Sequence, residues 1–196
     1  MIINPRYHFS AEKISNELDI ILKARKDPAS FGPLYSAYYQ NIYKFVFMRV
    51  RNNELCADLT QDVFATAITK LHQYESRGIP FSAWLYRIAY TTLQMYFRSG
   101  KANRVVSLDD ESISRMVDET TKEFPGDDGD VNKVILQRAI QELDDEEVAI
   151  LELRYSENRT YKEIEQILTI TANNARVKMN RILKKLQSQF SQNEKK

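Results

Sequence analysis

The sequence predicts an all-α chain of two small helical domains joined by an acidic flexible linker. Apolar residues recur at three- and four-residue steps over most of the length, the period of an amphipathic helix. Five Gly and five Pro in 196 residues are too few for a turn-rich β fold. Charge also separates along the chain: residues 101–132 hold four basic and nine acidic side chains, whereas 31–100 hold seven basic and four acidic. The boundaries that follow are an N-terminal extension or helix over 1–30, a first domain over 31–100, the linker over 101–132, and a second domain over 133–190.

Each element has a local reason. Leu34, Tyr35, Tyr38, Tyr39, Ile42, Tyr43, Phe45 and Val46 repeat at helical steps and predict a first long helix. Asn52-Asn53 interrupts it and supplies an N-cap for a second, striped by Leu55, Leu59, Val63, Ala67 and Leu71. Gly78 and Pro80 end that region, and a third helix runs from about Phe81 to Arg98 before Ser99-Gly100. From Ser107 to Asp130 the chain is acidic, contains Pro125-Gly126 and shows only weak periodicity, as a mostly disordered tether does. Beyond it, a helix over about 132–142 precedes Asp144-Asp145-Glu146-Glu147, acids suited to the next helix's N-terminal dipole. Thr160-Tyr161-Lys162-Glu163 reads as a capping box opening a short helix to Leu168. Thr169-Ile170-Thr171 breaks it, and a last helix covers about 172–189.

A short helix, a tight break and a longer basic helix make a helix-turn-helix. At 100° per residue, Ala175, Met179, Ile182 and Leu186 share one face and are expected to pack on Ile164, Ile167 and Leu168. Asn173, Arg176, Val177, Asn180, Arg181 and Lys184 lie opposite. Arg holds guanine bidentately, Asn holds adenine and Lys meets phosphate, so that face suits a DNA major groove, with Lys178 a further backbone contact.

Other chemistry finds no support in the residues. Cys56 stands alone, and His8 and His72 lie far apart without partners at ligand spacing, so neither a disulfide framework nor a metal site is expected. No nucleophile–base set or phosphate loop appears, which argues against an enzyme and against a cofactor. Residues 1–10 lack a signal-peptide apolar run and no segment reaches membrane-span length, so membrane insertion is not expected and a cytoplasmic location is.

The first domain carries the strings Phe31-Gly32-Pro33-Leu34-Tyr35, Ala57-Asp58-Leu59-Thr60-Gln61-Asp62-Val63-Phe64 and Pro80-Phe81-Ser82-Ala83-Trp84-Leu85-Tyr86-Arg87-Ile88-Ala89. The second domain adds Leu151-Glu152-Leu153-Arg154-Tyr155, Thr160-Tyr161-Lys162-Glu163-Ile164 and Arg176-Val177-Lys178-Met179-Asn180-Arg181. In this order, the strings resemble the bacterial sigma factors of the extracytoplasmic-function type. The resemblance implies that 31–100 is a region 2-like domain for the polymerase clamp and the minus-10 element. It implies that 133–190 is a region 4-like domain for the minus-35 element. Core RNA polymerase and promoter DNA are the implied partners, and an anti-sigma factor is a third class that the resemblance allows.

It also assigns sites. The clamp contact falls on Asp58, Gln61 and Asp62, which share a helix face at i, i+3 and i+4 and are flanked by Leu55 and Phe64. The loop from Tyr74 to Pro80 lies where the family captures a flipped minus-10 base, making Tyr74, Glu75 and Arg77 candidates. On the third helix, Tyr86, Tyr90, Leu93 and Phe97 line one side and Phe81, Trp84, Leu85, Ile88, Thr92 and Met95 the other. The second set is expected to be core. Tyr86 and Tyr90 are then candidates to stack on unpaired bases, with Arg87 and Arg98 on phosphates. The alternative is that Tyr86, Tyr90 and Phe97 pack against the helix around Tyr38–Phe47, with Tyr86 and Leu93 better suited to the core than Tyr90.

Four positions depart from the family's pattern. Thr91 and Met95 replace its usual Asn and Asp, Glu165 its small residue, and Thr169 its turn Gly. A Glu at a close helix crossing must splay outward, and a β-branched residue dislikes positive φ, so a slightly altered turn is expected. Three readings stay open: a sigma factor, a helix-turn-helix regulator that never touches polymerase, and a sigma-like decoy that does not melt promoters.

Overall fold

The computed structural model describes residues 11–100, 108–120 and 129–193. The expectations for residues 1–10, His8 among them, and for 101–107 and 121–128 with Pro125-Gly126 fall outside the described residues. Among those described, the secondary structure is helical throughout: α1 (Ala11–Ala24), α2 (Gly32–Val50), α3 (Asn53–Thr69), α4 (Phe81–Arg98), α5 (Asp110–Thr120), α6 (Gly129–Gln141), α7 (Asp145–Leu151), α8 (Tyr161–Leu168) and α9 (Ala172–Asn193). Short 3₁₀ turns at Pro28–Phe31 and Leu71–Gln73 and a π-type turn at Glu152–Ser156 complete the set. No described helix is long and apolar enough to cross a membrane. The chain forms two compact units, one of Met1–Val105 with Gln166–Thr169, the other of Val106–Glu165 and Ile170–Lys196.

In the first unit α2, α3 and α4 pack on one another around Leu34, Ile42, Phe45, Val46, Val63, Phe64, Leu85 and Tyr86. Asn52 caps α3 as its sequence position predicts, its Oδ1 accepting from Leu55 N at 2.9 Å. The helix of 81–98 keeps only part of its expected core face, since Phe81 and Leu85 are buried as expected but the other side is buried with them. Ser82, Tyr86, Ala89 and Leu93 face inward, with Tyr86 fully buried against Phe45 at 4.9 Å. Met95, expected in the core, is 67% exposed, and Trp84, Ile88 and Thr92 are only half-buried. Both faces carry apolar residues, so hydrophobicity does not choose between them. The small residues Ser82 and Ala89 decide it, because they let α4 approach its neighbours closely on the side that also carries Tyr86 and Leu93.

The second unit begins earlier than the charge pattern suggests. Residues 110–120, expected to be disordered tether, form α5, with Leu108, Ile113, Met116 and Val117 buried. Asp109 Oδ1 accepts from Ser112 N at 2.8 Å. Three of the nine acids of 101–132, Asp109, Asp110 and Glu111, are therefore an N-cap and first turn, where carboxylates oppose the helix dipole's positive end. Arg115 fastens α5 to the π-type turn, donating to Asn158 Oδ1 at 2.8 Å and to the Tyr155 carbonyl. On α7, Asp144 and Glu147 form a reciprocal capping box. Both α6 and α7 pack on α9, whose Ala175, Met179, Ile182 and Leu186 are buried as the face projection predicts.

The turn between α8 and α9 needs a left-handed residue at its first position. Thr169 adopts φ +60° itself. A left-handed conformation costs an L-residue with a Cβ roughly 1–2 kcal/mol, and Gly escapes that cost. Thr169→Gly should therefore stabilise the turn between α8 and α9 by about 1 kcal/mol after Gly's larger unfolded-state entropy is subtracted. A thermal melt that shows no rise would mean that the turn is unstrained.

Candidate nucleic-acid and polymerase interfaces

The outward face of α9 is laid out for contact. Asn173, Arg176, Val177, Asn180, Arg181 and Lys184 are all exposed, on the side opposite Ala175 and Met179. Lys178, the further backbone contact expected on this helix, is placed differently from these six. It is half-buried and pairs with Glu146 at 2.7 Å, and Lys185 pairs with Glu147 at 3.3 Å. The acids of α7's first turn thus occupy the lysines along one flank of α9 and leave the arginine–asparagine face to the solvent.

Tyr161, the first residue of α8, was not singled out by sequence reasoning. The guanidiniums of Arg154 and Arg176 lie 5.2 and 5.3 Å from its ring centroid, both within cation–π range. Arg154 also donates to the Arg159 carbonyl at 3.1 Å. One ring therefore restrains Arg176 and places a second cation beside it. An aromatic at the first position of a helix-turn-helix, with Arg seven residues before it, is the signal that would have found this pair.

On the first unit, α3 exposes Asp58, Gln61 and Asp62 side by side, with Leu55 half-buried at their edge. Phe64 does not belong to that surface. It is 2% exposed, with ring centroids of Tyr35, Tyr39 and Phe31 4.7, 6.2 and 6.4 Å away. Its place in the string alongside Asp62 concealed that it lies some 200° around the helix. Exposed apolar residues, Tyr35 on α2 and Ile68 on α3, are found instead in this unit.

The loop between α3 and α4 keeps Glu75 and Arg77 outside, 3.6 Å apart in an exposed ion pair. Tyr74 is buried beneath it, its ring against Phe81 at 5.2 Å and Trp84 at 5.4 Å. Burial raises the Tyr74 pKa, so the hydroxyl stays protonated at neutral pH. It supports the loop from below and is not an exposed hook. Tyr86 is excluded as a stacking residue by its complete burial. Tyr90 is half-buried, its hydroxyl accepting from Gln94 Nε2 at 2.6 Å. What α4 does show to solvent is a stripe of Arg87, Thr91, Met95 and Arg98, with Trp84 half-exposed at its start. The two positions that depart from the family's pattern therefore lie between the two arginines.

Burial raises the Cys56 thiol's pKa, so it is no ready nucleophile. Among the described residues no group of three or more His, Cys, Asp or Glu is placed to hold a metal ion.

The family model for sigma-70 region 2 matches residues 34–103, and that for sigma-70 region 4 matches 133–186. The RNA polymerase sigma factor YlaC of Bacillus subtilis is 28% identical over 71% of this chain and 79% of its own length. The ECF RNA polymerase sigma factor SigM of the same species is 24% identical over 81% of this chain and 93% of its own. The ECF RNA polymerase sigma factor BldN of Streptomyces coelicolor is 22% identical over 77% of this chain, which spans only 57% of BldN. Among solved structures, CnrH in complex with the cytosolic domain of CnrY has a similar fold, with a TM-score of 0.59 at 16% identity. That likeness covers 88% of this chain and 95% of CnrH.

Proposed function

This chain belongs to the sigma-70 family of RNA polymerase sigma factors, and we propose that it binds core RNA polymerase and directs promoter-specific transcription initiation. A sigma factor is not itself the enzyme, since the polymerase carries the chemistry. The observation that carries the proposal is the pairing of a region 2 unit with a region 4 unit whose α9 exposes Asn173, Arg176, Asn180 and Arg181 together. A stand-alone helix-turn-helix regulator would leave the first unit without a task. Residues 133–190 then read the minus-35 element, and residues 31–100 dock on the clamp and open the minus-10 element. Strand opening falls to Glu75 and Arg77 on the loop and to Trp84, Arg87, Thr91, Met95 and Arg98 on α4. Its site of action is the cytoplasm, and an anti-sigma factor is the class of partner that would silence it.

In vitro transcription with core polymerase tests this reading. Promoter-specific transcripts that depend on the added protein support it, and binding of promoter DNA without transcripts would reduce it to a regulator or a decoy. Within that assay, Arg176→Ala and Arg181→Ala should each weaken minus-35 binding by about 1–3 kcal/mol. Where the lost contact is to a base edge, discrimination at one base pair relaxes. Where it is to phosphate, the salt slope falls by about one unit and all sequences weaken alike. Unchanged promoter affinity in both variants would remove α9's arginines from the interface.

A further inference from the structure

The sequence left α1 without a role, yet two of its side chains grip both ends of the loop between α3 and α4. At the far end, α4 starts after Pro80, which has no side-chain group to cap it. The Phe81 N–H, an orphan donor of the first turn, instead donates to Glu17 Oε2 at 3.2 Å. Glu17 lies 64 residues earlier in the chain and is only 6% exposed, and its other oxygen accepts from the buried Tyr38 hydroxyl. A carboxylate there also opposes the positive end of α4's dipole. At the near end, Arg25 Nε donates to the Leu71 carbonyl at 3.1 Å and Arg25 Nη2 to the Tyr74 carbonyl. Between these two anchors run Glu75, Ser76, Arg77, Gly78 and Ile79, mostly exposed, with Gly78 at φ +68°.

We infer that α1 is the brace that presents this loop to the minus-10 strand, with Glu17 and Arg25 as positioning residues that act through backbone atoms. The inference rests on the loop's proposed part in strand opening. Glu17 is buried, and Arg25, although exposed, turns its Nε and Nη2 to the two loop carbonyls. Each fixes a chain end on which the direction of Glu75 and Arg77 depends, and an error of about 1 Å in such placement costs on the order of a hundredfold in rate.

The test uses the full chain with core polymerase. Arg25→Met keeps the apolar stem and removes both donors, Arg25→Lys keeps one cation, and Glu17→Gln keeps an acceptor for Phe81. Thermal unfolding, minus-35 band shifts and co-purification with core polymerase are measured beside permanganate reactivity of minus-10 thymines. Permanganate is also applied to promoters carrying each of the four bases at the most selective minus-10 position. Arg25→Met should lower open-complex formation roughly tenfold or more, with minus-35 and core affinity within about twofold of the unsubstituted protein. Its discrimination among the four bases should flatten. Arg25→Lys should recover part of both, and Glu17→Gln should lose less than Arg25→Met. A folded Arg25→Met variant that opens promoters normally and keeps its base preference would overturn the inference. So would a loss spread equally over melting, minus-35 binding and core binding. If the unsubstituted protein opens no promoter, the functional proposal fails instead, and the two failures are distinguishable.

Discussion

Glu163→Ala should unfold the helix-turn-helix unit at temperatures where the unsubstituted protein is folded. The Glu163 carboxylate is 5% exposed and serves two structures at once. One oxygen accepts from Arg159 Nη1 at 3.0 Å, and Arg159 is itself only 2% exposed. The other accepts from the Thr160 N–H and hydroxyl, both at 2.9 Å, while Thr160 Oγ1 accepts from Glu163 N at 3.2 Å. Removing one partner of a buried ion pair costs about 3–5 kcal/mol, because the other charge stays buried and loses that counter-charge. Losing a cap costs about 1 kcal/mol more. Against a typical domain stability of about 5–15 kcal/mol, that sum threatens the unit, and its Tm should fall by roughly 15 °C or more. The control is Arg159→Met with Glu163→Gln, which removes both charges and keeps the capping box. It should recover much of the loss, since an apolar replacement of a buried pair is often close to neutral. A Glu163→Ala protein within about 1 kcal/mol of the parent would mean that the pair is not buried in solution.

The same residues show why some of this fold was legible and some was not. Thr160-Tyr161-Lys162-Glu163 was readable as a capping box because that motif is local, and its bonds form as spaced. Arg159 stands four residues before Glu163, but that spacing alone did not announce that the pair would be buried. The two faces of α9 were legible because charge and apolarity alternate cleanly there, so burial of Ala175, Met179, Ile182 and Leu186 left one arrangement for the rest. α4 offered no such contrast. With aromatics on both sides, the close approach that Ser82 and Ala89 allow, and not hydrophobicity, turned Tyr86 in and Met95 out, and the candidate melting surface moved with them. α5 was hidden for the opposite reason. Its Asp and Glu residues look like a solvated tether until Ile113, Met116 and Val117 are given a surface to cover. The Glu17 and Arg25 contacts span 46 to 64 residues, beyond any periodicity argument.

Reversing Asp58 and Asp62 together to Lys should abolish co-purification with core polymerase while the isolated protein stays folded. Both carboxylates are exposed and lie one helical turn apart on α3, with exposed Gln61 between them. Surface substitutions of this kind change stability by about 0.5 kcal/mol or less, so folding and minus-35 binding should survive. Docking is another matter. An acidic face suits a basic partner, and like charges brought together at an interface cost several kcal/mol. Two reversals should therefore lower affinity by roughly a hundredfold or more, whereas neutral Asp58→Asn with Asp62→Asn should cost less and flatten the salt dependence. Phe64, the expected anchor beside them, is core, so Phe64→Ala should damage folding by about 3–5 kcal/mol and is no probe of docking. Pull-down across a salt series separates the outcomes. Binding retained by the double Lys variant at physiological salt would move the polymerase contact away from this face of α3.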